Sequence, residues 1–327
     1  MKRAAFALLA SDPALGVKLR SIARAEVLTI LNFHRVSDDQ VSAYQAMSPR
    51  LFDELIGWIK LHFTLVTFGD LDGHLAYGKP PLVLSFDDGY KDFIETVSPI
   101  LVRHGVRANQ NVIPGCVENG LPPMNVLLQD FINQAPAALL REVPFLGLSR
   151  GAAPDDRVAL SLVASASLKN RSITEQKAIF AVIEPHFARF EGFVPTPLMS
   201  IADIIEMSSH HEIGTHSFEH ATMSYETDDY VATDAARCRA YHTEKFGAAP
   251  FVYAFPNGSA GHGHVDIVRR AGYRDVLLVG EGFSSRSGHV HPRFTMHGSS
   301  AKELRFRATG ATATPRRSFT SYKGEQE

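Results

Sequence analysis

The chain has 327 residues, of which 45% are hydrophobic and 21% are charged, and its formal net charge at pH 7 is -2. This length suits one barrel-type domain with an insertion. The near-neutral net charge does not indicate a protein that binds nucleic acid. Two cysteines, Cys116 and Cys238, cannot form a disulfide framework and favour a reducing compartment.

Residues 1–25 are predicted to form a helical segment. Lys2 and Arg3 precede the apolar run 4–10 as in a secretion signal, but the run is short and lacks a clean small-x-small cleavage site. A helix resting on a membrane surface is a second interpretation, and a helix packed on the barrel is a third. We therefore expect a cytoplasmic protein, with peripheral association at the inner face of the membrane as an option and secretion as the weaker alternative.

Strand and helix patterns alternate from residue 26 onward. Predicted strands cover residues 26–33, which end at His34, then 63–68 and 82–86, with helices between them. The third strand runs into Asp87, Asp88 and Gly89. Such alternation predicts a parallel α/β arrangement, in which acids at a carboxyl strand end lie where these folds keep their chemistry. A plain Asp-Asp-Gly turn is the alternative interpretation.

Two histidines four residues apart, His216 and His220, follow a later strand in residues 212–220. Neutral imidazoles with one carboxylate are a common ligand set for a divalent transition metal. Two histidines at this spacing are by themselves weak evidence for a metal site. Their combination with Asp-Asp-Gly at the end of another strand is strong evidence.

The segments 85–89 and 214–220 together resemble the first two motifs of the polysaccharide deacetylases, the family of the NodB homology domain and carbohydrate esterase family 4. Residues 31–36 resemble the Tyr-His-Arg-Val segment that opens many bacterial members, and residues 253–258 resemble their Phe-Ala-Tyr-Pro-Tyr-Gly loop. The resemblance implies an α/β fold, a distorted (β/α) barrel of the NodB-homology type over residues 26–298.

A long, largely helical insertion over residues 115–200 separates a strand predicted at 106–114 from the strand of the histidine pair. Its apolar stripes are interpreted as local packing. Because it follows a strand end, we expect it to rise from the catalytic face and to form one wall of the substrate groove without carrying catalytic residues. A polar tail is predicted over residues 299–327.

The resemblance also implies roles for individual residues. Asp88, His216 and His220 would hold a divalent metal, with zinc as the first choice and cobalt, nickel or iron as alternatives. Asp87 would be the general base, and the backbone N–H of Asn257 would help to bind the oxyanion.

Three features depart from the family pattern. Many members place an arginine just before the proline of the 253–258 loop, but none occurs here, and Arg293 is the nearest candidate substitute. The aromatic residue usual after that proline is replaced by Asn257. The family's Leu-x-His segment has only a loose counterpart, which makes His297 the first candidate for the general acid and His34 the second.

The expected function is removal of N-acetyl groups from an N-acetylated sugar of a surface polysaccharide or its lipid-linked precursor. A deacylase or amidohydrolase acting on a small non-carbohydrate amide and a non-catalytic saccharide-binding domain are the alternatives. Binding alone does not require an Asp-Asp pair beside two histidines, which argues against the latter. The expected partner is an N-acetylated saccharide, and the sugar, the acyl group, the metal and the oligomeric state stay open.

Overall fold

The computed structural model describes residues 9–39, 41–72, 78–148 and 156–315. The secretion signal considered for the first residues therefore lies mostly outside the described part of the chain, as does the end of the predicted tail. Within the described part, nine strands form one sheet: β1 (Val27–Phe33), β2 (Thr64–Val66), β3 (Pro81–Phe86), β4 (Asn109–Val112), β5 (Glu212–Thr215), β6 (Val252–Ala254), β7 (Asp275–Val279), β8 (Ser284–Ser285) and β9 (Val290–Thr295).

The sheet curls into a closed ring of parallel strands. Its order is β2-β3-β4-β5-β6-β7-β9-β1-β8, and β1 also pairs with β3, which closes the barrel. Strand β3 pairs with β2 along its first half and with β4 at its end, so one strand borders three neighbours. Strand β8 runs antiparallel to the start of β1. These irregular pairings are what distort the barrel, and the fold class predicted from the sequence is confirmed.

Helices pack around the barrel and form most of the insertion. They are α1 (Asp12–Ala25), α2 (Pro49–His62), α3 (Ser98–His104), α4 (Pro114–Asn119), α5 (Met124–Gln134), α6 (Ala137–Arg141), α7 (Arg157–Lys169), α8 (Ile173–Ile183), α9 (Ile201–Ser208), α10 (Asp228–Phe246), α11 (His264–Arg270) and α12 (Ala301–Ala308). A π-helical turn, Phe93–Val97, leads into α3. None of the helices in the described residues is long and apolar enough to span a membrane.

The insertion has a hydrophobic core of its own. The predicted apolar stripes of α5 and α8 meet there, with Phe131 and Ile132 from α5 against Phe180 and Ile183 from α8. Helix α8 begins with the predicted capping box, in which Ser172 and Glu175 satisfy each other's backbone N–H groups. The insertion is therefore a packed unit attached to the barrel.

The predicted polar tail begins with a helix. The Ser300 side chain caps α12 by accepting a hydrogen bond from the N–H of Glu303, and Leu304 and Ala308 are buried in the main core of the barrel. The polar composition concealed this helix because two buried side chains, four residues apart, are enough to attach it. Residues 301–308 thus belong to the folded barrel, unlike the tail that we predicted.

Glu212, the first residue of β5, makes folding sensitive to pH. It is buried and accepts a hydrogen bond of 2.7 Å from the N–H of Gly69, and burial raises its pKa from 4.5 to about 7. Between these pH values the folded carboxyl keeps a proton that the unfolded one has lost, so stability should fall as pH rises from 4.5 to 7 and then level off. Denaturant unfolding of Glu212→Gln across this window should give a flatter curve, whereas an unchanged slope would contradict the assignment.

Candidate metal centre and active site

The register of the strands brings the polar strand ends together. Phe33 pairs with Phe86, so His34 and Asp87 follow at the same edge of the barrel. Val112 pairs with Thr215, which places His216 at that edge as well. The edge surrounds a cavity of about 530 Å³, and six of the residues selected from the sequence line it: His34, Asp87, Asp88, His216, His220 and Asn257.

Asp88, His216 and His220 form a compact group of possible metal ligands. The Oδ1 atom of Asp88 lies 3.5 Å from Nε2 of each histidine, and all three side chains are buried. This oxygen has no hydrogen-bond partner within the described residues. An ion with bonds of about 2 Å would fit between three donors at this spacing. The group is therefore suited to a divalent transition metal.

Each histidine is held in the state that binds a metal. His216 Nδ1 donates a hydrogen bond of 2.9 Å to the carbonyl of Ala254, which leaves the lone pair on Nε2, the atom that faces Asp88. Burial lowers the pKa of His220 to about 3, although the charge of Asp88 opposes this shift. A neutral imidazole is the ligand form of histidine, so His220 needs no deprotonation to bind.

Several residues around this group adopt the left-handed backbone conformation that non-glycine residues rarely use. The φ angles are 74° for Asp88, 60° for Ser217, 59° for His220 and 57° for Asn257. Such conformations cost roughly 1–3 kcal/mol each and persist where the surroundings fix them, most often at functional sites. Here Asp234 holds the histidine loop by accepting a hydrogen bond of 2.9 Å from the N–H of Phe218.

The loop that carries Asn257 is fixed by a close approach to β7. A Cβ added to Gly258, whose φ is +64°, would lie 2.3 Å from the Cβ of Val279, so only glycine fits there. The Asn257 side chain donates a hydrogen bond of 2.8 Å to Oγ1 of Thr222. These contacts place the Asn257 backbone on the cavity wall and direct its side chain to a neighbouring loop.

Asp87 is paired with Arg293, which extends from β9. Nη1 of Arg293 donates to Oδ1 of Asp87 at 2.9 Å, and its Nη2 lies 2.8 Å from Oδ2. Asn111 donates to the same carboxylate at 2.8 Å. Burial alone would raise the pKa of Asp87, but the charge of Arg293 and its hydrogen bonds to the carboxylate outweigh burial and hold this pKa well below its ordinary value. Asp87 is therefore an ionised carboxylate at neutral pH.

The two candidate acids occupy different places. His34 lines the cavity of the metal-ligand group and also a neighbouring cavity of about 720 Å³, whereas His297 lines only the neighbouring one. His297 follows the end of β9 by two residues and lies near Glu303 and Arg307 of α12, whose charges influence its pKa. His34, our second candidate for the general acid, thus lines the cavity of the metal-ligand group, whereas His297, our first candidate, does not.

The insertion contributes residues to the cavity that the sequence analysis did not select. They are polar side chains of α5 and α7, namely Asn125, Gln129, Ser165 and Lys169. In each helix the two residues are spaced four apart, a signal that was present in the sequence. It was overlooked because polar residues at this spacing usually lie on a solvated face.

Comparison with known proteins gives one family. A model described as polysaccharide deacetylase matches residues 172–276, a range that contains both histidines of the metal-ligand group and the loop of Asn257. No curated protein sequence matches the chain. The family match confirms the predicted resemblance and the predicted enzyme class, a hydrolase of the polysaccharide deacetylase type.

Several solved structures have a similar fold. The Streptococcus pyogenes deacetylase PplD in complex with acetate has a TM-score of 0.57 and 16% identity, over 85% of this chain and 96% of that one. IcaB from Ammonifex degensii has a TM-score of 0.56 and 17% identity, over 86% and 97%. A de-N-acetylase from Aggregatibacter actinomycetemcomitans has a TM-score of 0.52 and 15% identity, over 81% and 93%. At these identities the likeness shows the fold, a barrel of the predicted NodB type.

Proposed function

We propose that this chain, a hydrolase of the polysaccharide deacetylase type, uses a divalent metal to remove N-acetyl groups from an N-acetylated sugar of a surface polysaccharide or its lipid-linked precursor. The observation that carries the proposal is the position of Asp87. Its Oδ2 lies 3.9 Å from Nε2 of His216, outside the three-ligand group but beside it. A charged carboxylate next to a metal-ligand group is the arrangement that hydrolysis of an amide by water requires.

Asp88, His216 and His220 would hold the metal, with zinc as the first candidate. When bound, the metal supplies a Lewis acid that polarises the amide carbonyl and makes water more acidic. Asp87 accepts the proton of the attacking water at a carboxylate oxygen, and Arg293 keeps that carboxylate ionised between turnovers. The Asn257 N–H helps to bind the developing oxyanion. His34, which lines the same cavity and whose pKa is lowered by burial, relays to the departing amine the proton that Asp87 has taken from the water.

The shape of the site favours a saccharide over a small amide. The cavity of the ligand group adjoins the second cavity, and three residues, His34, Tyr44 and Thr295, line both. The two volumes of about 530 and 720 Å³ together exceed what one N-acetyl group and its sugar would fill. A chain of sugar units is a substrate that would occupy both. For a lipid-linked substrate, the proposed place of action is the cytoplasmic face of the membrane.

Acetate release by the metal-loaded protein tests this function. The purified protein would be stripped with a chelator, reloaded with zinc or cobalt, and assayed on N-acetylated oligosaccharides, lipid-linked N-acetyl sugars and small N-acetyl amides. We expect acetate from saccharides only, and only after reloading. Turnover confined to small amides would favour the amidohydrolase alternative. Saccharide binding with no acetate release, metal present, would favour a non-catalytic binding domain.

A further inference from the structure

Two helices of the insertion turn polar faces toward the catalytic cavity. Asn125 and Gln129 lie one turn apart on α5, and Ser165 and Lys169 lie one turn apart on α7. Side chains four residues apart project from the same side of a helix. These two amides, the hydroxyl and the ammonium group, which we call the polar wall, line the insertion side of the cavity beside Val126, Leu162 and Ala166 of the same helices.

The insertion's own core holds the polar wall in place. Leu128 and Phe131 of α5 pack in one hydrophobic cluster with Ala164 and Leu168 of α7. Asp130 of α5 also accepts hydrogen bonds from the N–H and hydroxyl of Thr196, at 2.7 and 3.0 Å. The polar wall is thus positioned by the insertion's own packing and hydrogen bonds, and such preorganisation lowers the entropy cost of binding.

The polar groups of this wall have no hydrogen-bond partners among the residues that the structure describes. Gln129 is only 3% exposed and Asn125 only 8% exposed, and neither side-chain amide has a hydrogen bond within the described residues, although their polar atoms are not among the fully buried ones. These amides line the cavity, where water or a ligand can form hydrogen bonds with them. Their partners therefore have to come from the content of the cavity.

Lys169 is the only lysine or arginine among the described residues that line this cavity. It is partly buried and forms no ion pair within the described chain. Burial lowers its pKa, while the charge of Asp88 acts in the opposite direction, and the charge of Lys169 in turn acts on His220. Asp87 is already paired with Arg293, and Asp88 serves the metal-ligand group. Among the described residues, the ammonium group of Lys169 consequently has no counter-charge of its own.

We propose that the polar wall selects an anionic saccharide. Lys169 binds a carboxylate or phosphate group on the sugar that carries the N-acetyl group or on its neighbour, and Asn125 and Gln129 bind hydroxyl or carbonyl oxygens of the same unit. This inference rests on the proposed deacetylation. It makes the insertion, which holds no catalytic residue, the part that determines substrate class.

The test compares three N-acetylated oligosaccharides as substrates: a neutral oligomer of N-acetylglucosamine, one alternating with glucuronic acid, and one carrying phosphate. The zinc-loaded protein should favour an anionic substrate, and the uronate and phosphate arms identify which group is bound. Lys169→Met should lower kcat/KM for that substrate by at least about tenfold, mainly through KM, because a charge-assisted hydrogen bond is lost. Lys169→Arg should keep most of the preference, and the neutral substrate should be little affected.

Lys302→Met is the matched control, since Lys302 is exposed on α12 and its loss removes the same charge. It should change no preference, and all variants should bind the same amount of zinc. Equal use of neutral and anionic substrates, or an equal loss on all three with Lys169→Met, would overturn the selection of an anion. Absence of acetate from every substrate would instead reject the deacetylation. In that case calorimetric binding of the anionic oligomers to the protein and to Lys169→Met still decides the role of Lys169.

Discussion

Replacing Asp87 by Asn should lower turnover by roughly 10²-fold or more while leaving the bound metal largely intact. Its carboxylate is held by Arg293 and Asn111, and it lies outside the group of three ligand atoms. An amide keeps the shape of this side chain but cannot accept the proton of water. Metal content and steady-state acetate release, measured on the same preparation, check the two halves of this prediction.

Asp88→Asn, His216→Ala and His220→Ala should behave differently, with loss of both metal and turnover. Each supplies about a third of the protein ligands, so the affinity for the metal should collapse. Asp229→Asn is a suitable control for the aspartate variants, because Asp229 is exposed at the start of α10. Loss of the metal from Asp87→Asn would show that Asp87 is itself a ligand and that the proposed division of labour is wrong.

The sequence was sufficient to predict the site residues that directly follow nearby strands of the barrel. Asp87 and Asp88 end a strand that is buried along its whole length, and His216 follows the strand two places along the sheet. In a parallel barrel, side chains after neighbouring strands must share one edge, so their convergence could be predicted without coordinates. The apolar stripes of the insertion were predictable for a similar reason, since a period of 3.6 specifies a helix with one buried face.

Other features depend on long-range packing that local patterns do not encode. The backbone of Asp88 and His220 is left-handed although neither is glycine, because the surrounding loops fix it. His297 lines the neighbouring cavity and not that of the ligand group, because of the path of the chain after β9 and the packing of α12. Gln129 was not a candidate from the sequence, since only the placement of the insertion against the barrel puts this residue on the cavity wall.

Arg293→Met should be the most destabilising single change at the site, by about 3–5 kcal/mol, because it leaves the Asp87 carboxylate buried without its counter-charge. Arg293 is fully buried and also donates hydrogen bonds to Asn32 and Ser85, at 2.9 and 3.2 Å. The free energy of unfolding in denaturant measures the loss. Arg293→Lys should lose less, since it keeps the charge but not the two-point contact.

The double variant Asp87→Asn with Arg293→Met distinguishes two causes of lost stability: the broken ion pair and the lost packing of the Arg293 side chain. If the loss of stability in Arg293→Met comes from the unpaired carboxylate, the double variant should be more stable than Arg293→Met alone.

Arg293→Met should also change the pH dependence of catalysis, measured on the folded fraction of the protein. Without the guanidinium the pKa of Asp87 rises, so the base is ionised only at higher pH, and the acid limb of the kcat profile should move to higher pH. An unmoved acid limb, with a double variant no more stable than Arg293→Met, would show that Arg293 only fills space behind Asp87 and that another group keeps the base charged.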